Sequence, residues 1–139
     1  VPMSGEVVGS GEGPQLYLPD DALIAPDLFA FTAQKALWIE AKHKTAFTWH
    51  RLTGQWVTGI DIRHYEHYQR VDKETPWPVW LMFWHDGGHA KDSPKESPRG
   101  LFGHKLSYLV DHEHHRSDRW GRWGMVYWAH EELLLVEHI

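Results

Sequence analysis

The chain has 139 residues, 42% of them hydrophobic and 24% charged, so it is long enough for a single domain with its own core. It contains no cysteine, which excludes disulfides, thiolate nucleophiles and thiolate zinc sites. The formal net charge of −5 at pH 7 argues against binding nucleic acid through an overall positive surface, so any such binding must be local.

No segment approaches the roughly 18 apolar residues needed to cross a bilayer, and the first residues lack the basic and apolar blocks of a secretory signal. We therefore expect a cytoplasmic protein with no membrane association. The sequence starts at Val1 rather than Met and stops within an apolar run at Ile139. We expect it to be a fragment of a longer protein.

The first predicted elements are strands. Residues 1–14 are rich in Gly and Pro and predict a flexible or truncated lead-in, and residues 15–139 are predicted to form one domain. The runs LYL, ALIAPDLFAF and ALWIEAKHK, separated by short turns, predict three strands in an antiparallel meander. Pro26 lies within the second run and cannot donate to a ladder, so regular pairing should break there.

A helix and a central strand follow. Asp61 is a good N-cap, and Ile62, Tyr65 and Tyr68 recur at helical spacing, which predicts an amphipathic helix of about three turns. The apolar run at 78–85 predicts a strand buried on both faces.

The rest of the chain gives a polar loop at 86–100, a short helix within 101–112, a strand within 122–129 and a terminal helix after 130. The expected fold class is α/β, with a mixed central sheet and flanking helices.

Two acidic residues should meet on neighbouring strands. Asp27 follows Pro26, and Glu40 lies thirteen residues later, across one tight turn. Residues opposite each other in an antiparallel pair have Cβ atoms about 5 Å apart, and two ionised carboxylates that close need a cation between them. Mg²⁺ suits such a site, because it takes oxygen ligands and is usually held by one or two carboxylates. Lys42 shares a strand face with Glu40, so its ammonium should lie beside the metal.

The pattern Pro26-Asp27 followed by Glu40-Ala41-Lys42 resembles the PD-(D/E)xK nuclease superfamily, whose members have a restriction-endonuclease-like or Holliday-junction-resolvase-like fold. The resemblance covers roughly residues 15 to 85. It implies a Mg²⁺-dependent or Mn²⁺-dependent endodeoxyribonuclease that hydrolyses phosphodiester bonds of DNA. Asp27, Glu40 and the carbonyl of Ala41 would hold the metal, and Lys42 would serve the attacking water.

The resemblance also implies supporting residues and partners. Members often carry a helical Gln or Tyr that faces the site, for which Gln69 and Tyr65 are candidates. Many relatives act as homodimers. Many also take a further acid from a helix before the first strand, whereas this chain offers only its Gly-rich lead-in. A catalytically silent nucleic-acid-binding or protein-interaction module on the same fold is therefore the alternative.

The loop after Lys42 is basic and aromatic, with Lys44, His50 and Arg51 as candidate DNA-binding residues. Trp49 could stack on a splayed base, but we favour a place in the core for both Trp49 and Phe47. For Glu40 and Lys42 themselves, the plainer alternative is an exposed ion pair worth less than about 1 kcal/mol.

Two further clusters have plain interpretations. The segment 111–119 offers His112, His114 and His115 to a transition metal, but without regular helical spacing a solvated loop is the favoured interpretation. The tryptophans at 77, 80, 84, 120, 123 and 128 could form a stacking platform, and alternation favours the core for most of them.

Overall fold

The structure is a computed structural model that describes residues 6–8, 14–18 and 21–137. It is a mixed α/β fold made mostly of sheet, with two helices. The strands are β1 (Glu6–Val8), β2 (Gln15–Leu18), β3 (Asp21–Ile24), β4 (Leu28–Phe31), β5 (Ala36–Lys44), β6 (Thr48–His50), β7 (Gln55–Asp61), β8 (Val79–His85), β9 (Gly100–Lys105), β10 (His115–Ser117), β11 (Met125–Ala129) and β12 (Leu134–Glu137). The helices are α1 (Ile62–Glu74) and α2 (Leu106–Val110), with a 3-10 turn at His130–Glu132.

The strands form three sheets. The central sheet has the order β12-β9-β8-β5-β4, in which β5 and β8 are parallel and the other pairs are antiparallel. A four-stranded sheet has the order β10-β11-β7-β6, and a three-stranded sheet has the order β1-β2-β3. Because β5 and β8 run in the same direction, the chain must cross over between them, and this crossover contains β6, β7 and α1.

The predicted meander is interrupted at Pro26. Instead of one second strand there are two, and they belong to different sheets: β3 pairs with β2, and β4 pairs with β5. Residues 25–27 connect them, and Pro26 is buried at this point. Its missing N–H explains why the ladder cannot continue through it. The position of the break was predicted, but the change of sheet was not.

Helix α1 begins where the sequence predicted. The Asp61 carboxylate accepts hydrogen bonds from the backbone N–H groups of Arg63 and His64, which satisfies two free donors of the first turn. Tyr65, Tyr68 and Val71 form its buried stripe. The helix therefore packs with the core through residues at three-residue spacing.

Only one face of β8 is fully buried. Val79, Leu81, Phe83 and His85 alternate along the strand with exposures of at most 1%, whereas Trp80 and Met82 are half-buried and Trp84 is 37% exposed. The prediction of burial on both faces is therefore wrong. The two-residue period of a strand sends alternate side chains to opposite faces, and the buried set is the one that joins the core.

Three further predictions need correction. The terminal segment forms the 3-10 turn and the edge strand β12 instead of a helix, because its apolar run pairs with β9. The helix predicted within 101–112 is shorter than expected, because Gly100–Lys105 form strand β9 and Leu106–Val110 form α2. Within the predicted lead-in, Glu6–Val8 form β1, which pairs with β2. Pro14 is also described, and the rest of the lead-in lies outside the described residues.

The aromatic side chains divide between core and surface. Phe47 is buried and Trp49 packs partly against the core, as favoured. Of the six tryptophans between 77 and 128, only Trp128 is fully buried, while Trp120 and Trp123 are mostly exposed. The expectation that most of these six lie in the core is therefore wrong.

His85 is a buried histidine without a hydrogen-bond partner on either ring nitrogen within the described residues. It stacks on Phe47, with ring centroids 3.7 Å apart. Burial, assisted by the charges of Lys44 and His130, lowers the pKa of His85 from 6.5 to about 4. The folded protein therefore keeps this imidazole neutral under conditions in which the unfolded chain protonates it.

The consequence is a loss of stability in acid. Since the unfolded state binds the proton first, the free energy of unfolding should fall by about 1.4 kcal/mol per pH unit from pH 6.5 towards pH 4 on account of His85 alone. His85→Phe keeps the stacking and should remove this part of the slope. Urea unfolding at pH 7, 6 and 5 would measure it, with the exposed His89→Phe as the control. If the free energy of unfolding changed equally with pH in wild type and His85→Phe, the assignment would be contradicted.

Candidate functional site

The hairpin of β4 and β5 brings Asp27 next to Glu40. Leu28 and Ile39 are paired, so Asp27 lies just before the ladder and opposite Glu40. Its backbone N–H donates a hydrogen bond of 3.1 Å to Oε1 of Glu40. The Asp27 side chain is exposed, whereas Glu40 is only 1% exposed. The Asp27 side chain therefore faces solvent, whereas the neighbouring Glu40 side chain lies in the protein interior.

The Glu40 carboxylate has a cationic and a hydroxyl neighbour. Its Oε2 lies 2.8 Å from Nζ of Lys42, which is on the same face of β5. The Tyr68 side chain, from α1, also lies close to Glu40. Burial and the negative charge of Glu40 raise the pKa of Tyr68 well above its usual value, so the phenol stays protonated. Glu40 and Lys42 therefore form a partly buried ion pair beside Tyr68, rather than an exposed surface pair.

The donor atoms suit a hard divalent cation. Asp27 and Glu40 supply carboxylate oxygens, and Ala41 lies between Glu40 and Lys42 on β5. Both oxygens of Glu40 already accept a hydrogen bond, but each carboxylate oxygen has a second lone pair. An oxygen-only set with two carboxylates is the kind of site that Mg²⁺ and Mn²⁺ occupy.

Of the two tyrosines of α1, Tyr68 lies beside Glu40 and Tyr65 does not. The Tyr65 hydroxyl donates to Oε2 of Glu113 at 2.6 Å, and its ring packs edge-on against Trp128. The two tyrosines belong to one buried stripe, but they are about one turn apart and therefore meet different neighbours. Gln69 is half-buried next to Tyr68, and its supporting role stays a prediction.

The three candidate DNA-binding residues lie in three different elements. Lys44 continues the face of β5 that carries Lys42, and burial together with the Lys42 charge lowers the pKa of Lys44. Arg51 is exposed in the turn after β6 and lies 3.9 Å from Asp92. His50 lies in the four-stranded sheet.

His50 meets two residues of the 111–119 cluster. His50, His114 and His115 each offer a ring nitrogen, and these three nitrogens lie within 4.8 Å of one another. His112 is not part of the group: it stacks on Tyr108, with ring centroids 3.9 Å apart. The favoured interpretation as a solvated loop is wrong for the end of this segment, because His115 begins β10 and His114 is bonded through its backbone to Tyr127.

A surface cleft of about 690 Å³ lies at the beginning of β5, away from these residues. It is lined by residues 32–37 together with Pro76, Trp77, Pro78, Trp80 and Lys105. None of the candidate site residues lines this cleft, so the volume of the cleft does not identify the candidate site.

Comparison with protein-family models, with curated proteins and with solved structures finds no match for this chain. Among the described residues, no helix is both long enough and apolar enough to cross a membrane. The functional conclusion therefore depends on the geometry of the side chains.

Proposed function

We propose that this protein is a metal-dependent endonuclease of the PD-(D/E)xK superfamily that hydrolyses phosphodiester bonds of DNA. The observation that carries the proposal is the buried Glu40 carboxylate, which accepts the Asp27 N–H at one oxygen and the Lys42 ammonium at the other. Asp27 lies opposite Glu40 in the strand pair and Lys42 contacts Glu40, which supports the arrangement that the sequence motif implies.

The order of elements around these residues supports a restriction-endonuclease-like core. The hairpin of β4 and β5 is followed, after β6 and β7, by α1 and then by β8, which pairs in parallel with β5. The motif residues lie on the hairpin, and Tyr68 of the crossover helix reaches Glu40. The extra strands β6 and β7 lie within the crossover, where they leave the pairing of β5 with β8 intact.

The side chains divide the work of phosphodiester hydrolysis. Asp27 and Glu40, with the carbonyl of Ala41, would hold a Mg²⁺ ion, which supplies Lewis-acid stabilisation of charge on the phosphate. Lys42 orients the attacking water and donates to the negative charge that develops on phosphate oxygens. Glu40 holds the Lys42 ammonium in place, and Tyr68 lies beside Glu40. Asp27, Glu40 and Lys42 would then act at one reacting phosphate.

The local charge supports a phosphate-containing substrate despite the acidic net charge. Lys42 and Lys44 lie on one face of β5, and the pKa of Lys44 is lowered by burial and then by the nearby charge of Lys42. A phosphate between them relieves this repulsion. We extend the proposal to a homodimer that acts on two strands, by analogy with relatives.

The direct test is cleavage of duplex, branched and single-stranded DNA with Mg²⁺, with Mn²⁺ and with chelator. We expect cleavage only with a divalent ion, at a rate that saturates with its concentration. Cleavage that persists unchanged in excess chelator, or no cleavage of any substrate with either ion, would reject the proposal.

A catalytically silent binding module is the second candidate. One observation favours it: both Glu40 oxygens already have partners within the protein, so the site is electrostatically satisfied without a metal. Calorimetric titration with Mn²⁺ separates the two candidates. Heat of binding that is present in wild type and lost in the Asp27→Ala, Glu40→Ala double variant would reject the silent module.

A further inference from the structure

We propose that His50, His114 and His115 form a binding site for a borderline transition-metal ion such as Zn²⁺, separate from the carboxylate site. The three imidazoles pack against one another, with ring centroids 4.6 to 4.9 Å apart. Three imidazole nitrogens form a ligand set that suits zinc, nickel or copper and is a poor one for Mg²⁺. The two sites would therefore select different ions.

The register of the four-stranded sheet places His50 and His115 on one face. His50 pairs with Gln55, Gly59 pairs with Tyr127, and Tyr127 pairs with His115. Directly paired residues share a face, as do residues an even number apart on one strand, so all five lie on the same side. His50 lies more than sixty residues before His114 and His115 in the sequence, yet strand pairing brings it beside them.

Gly59 makes room for the stack that holds His115. A Cβ at Gly59 would lie 2.8 Å from Cδ1 of Tyr127 and 2.1 Å from the carbonyl oxygen of Val126. Without that atom the Tyr127 ring can lie close over β7, and His115 stacks on it with centroids 4.6 Å apart and planes 11° from parallel. His115 is therefore oriented by packing before any ligand binds.

A chain of hydrogen bonds sets the tautomer of His114. Nε2 of Gln55 donates to the Glu131 carboxylate at 3.0 Å, which leaves Oε1 of Gln55 to accept from His114. That oxygen lies 2.9 Å from Nε2 of His114, so Nε2 carries the proton and Nδ1 has the free lone pair. Metal-binding histidines typically donate their other N–H to such an oxygen. Nδ1 of His50 lies 2.8 Å from the Thr53 hydroxyl oxygen, which also lies 3.1 Å from Nε2 of His114, so Thr53 links the two rings.

The nitrogen positions require only a small rearrangement. Nδ1 of His114 and Nδ1 of His115 lie 2.6 Å apart, so a proton lies between them. Two nitrogens bound to one tetrahedral zinc are about 3.3 Å apart. An ion that replaces this proton would separate the two rings slightly and bring in His50, while a fourth position stays open to water. Burial lowers the pKa values of His114 and His115, which favours the neutral form that coordinates.

The test is Zn²⁺ binding by calorimetry in excess Mg²⁺, which occupies the oxygen site, together with the visible absorption of Co²⁺. We expect one ion per chain and a Co²⁺ spectrum typical of nitrogen ligands. His50→Gln should weaken Zn²⁺ binding at least about 100-fold, and Gln55→Ala should weaken it by roughly 10-fold to 100-fold through the loss of its hydrogen bond to His114.

His112→Gln is the matched control, because His112 lies in the same segment but outside the group. It should bind Zn²⁺ like wild type. Circular dichroism in chelator establishes that each variant is folded before titration. Equal affinities of wild type, His50→Gln and Gln55→Ala would overturn the proposal, as would an equal loss in His112→Gln.

Discussion

Asp27→Asn is expected to reduce metal-dependent DNA cleavage by at least about 1,000-fold while leaving the stability of the fold unchanged. The Asp27 side chain is exposed, and the contact that Asp27 makes with Glu40 uses its backbone N–H, which the substitution retains. The variant therefore removes the charge that we propose to bind the metal and little else. Single-turnover cleavage rates at saturating Mg²⁺ and urea unfolding would measure the two effects.

Asp118→Asn is the control for Asp27→Asn. Asp118 is also exposed, but it lies between β10 and β11, outside the candidate site. The Asp118→Asn variant should cleave DNA at the wild-type rate. If Asp27→Asn also cleaves within tenfold of wild type, Asp27 does not hold the metal and the assignment fails.

The second large effect separates the two roles of Lys42. Lys42→Ala leaves the Glu40 carboxylate, with 2% of its side chain exposed, without its cation. Breaking a buried pair costs about 3–5 kcal/mol, and since water reaches about a third of Lys42 we expect a smaller loss of roughly 2–3 kcal/mol. Loss of activity in this variant therefore combines chemistry with stability.

Lys42→Arg isolates the chemistry. The guanidinium keeps the charge and the pair with Glu40, so stability should stay within about 1 kcal/mol of wild type. Its fixed planar fork cannot place a donor where the ammonium serves the attacking water, so cleavage should still fall by about 100-fold or more. A Lys42→Arg variant with wild-type activity would mean that Lys42 acts only as a counter-charge to Glu40. Unfolding curves and cleavage rates measured on the same preparations would decide.

The sequence predicted the part of the fold that local signals determine. The hairpin of β4 and β5 follows from two apolar runs around a turn, and α1 follows from the Asp61 cap and helical spacing. The proximity of Asp27 and Glu40 came from that hairpin alone. Their separation of thirteen residues across one turn was therefore enough to predict that the two residues lie next to each other.

Long-range pairing decided the features that were missed. The apolar run that forms β12 has no clear period, and only the open edge of β9 makes it a strand. Similarly, β9 needs Gly103, because a Cβ there would lie 2.5 Å from the carbonyl oxygen of Leu81, and no local signal reveals that neighbour. His50 joins His114 and His115 through strand pairing, and Tyr68 rather than Tyr65 reaches Glu40 because of where α1 lies.

The passage of the chain from the three-stranded sheet to the central sheet takes only residues 25–27, and both ends of this passage are anchored. The Ala25 N–H donates to the Pro14 carbonyl, and the Asp27 N–H donates to Glu40. One extra residue between Asp27 and Leu28 would turn the Asp27 carboxylate to the other side of the strand, because the register of β4 on β5 begins at Leu28. Variants with such an insertion should lose the candidate site while keeping both sheets.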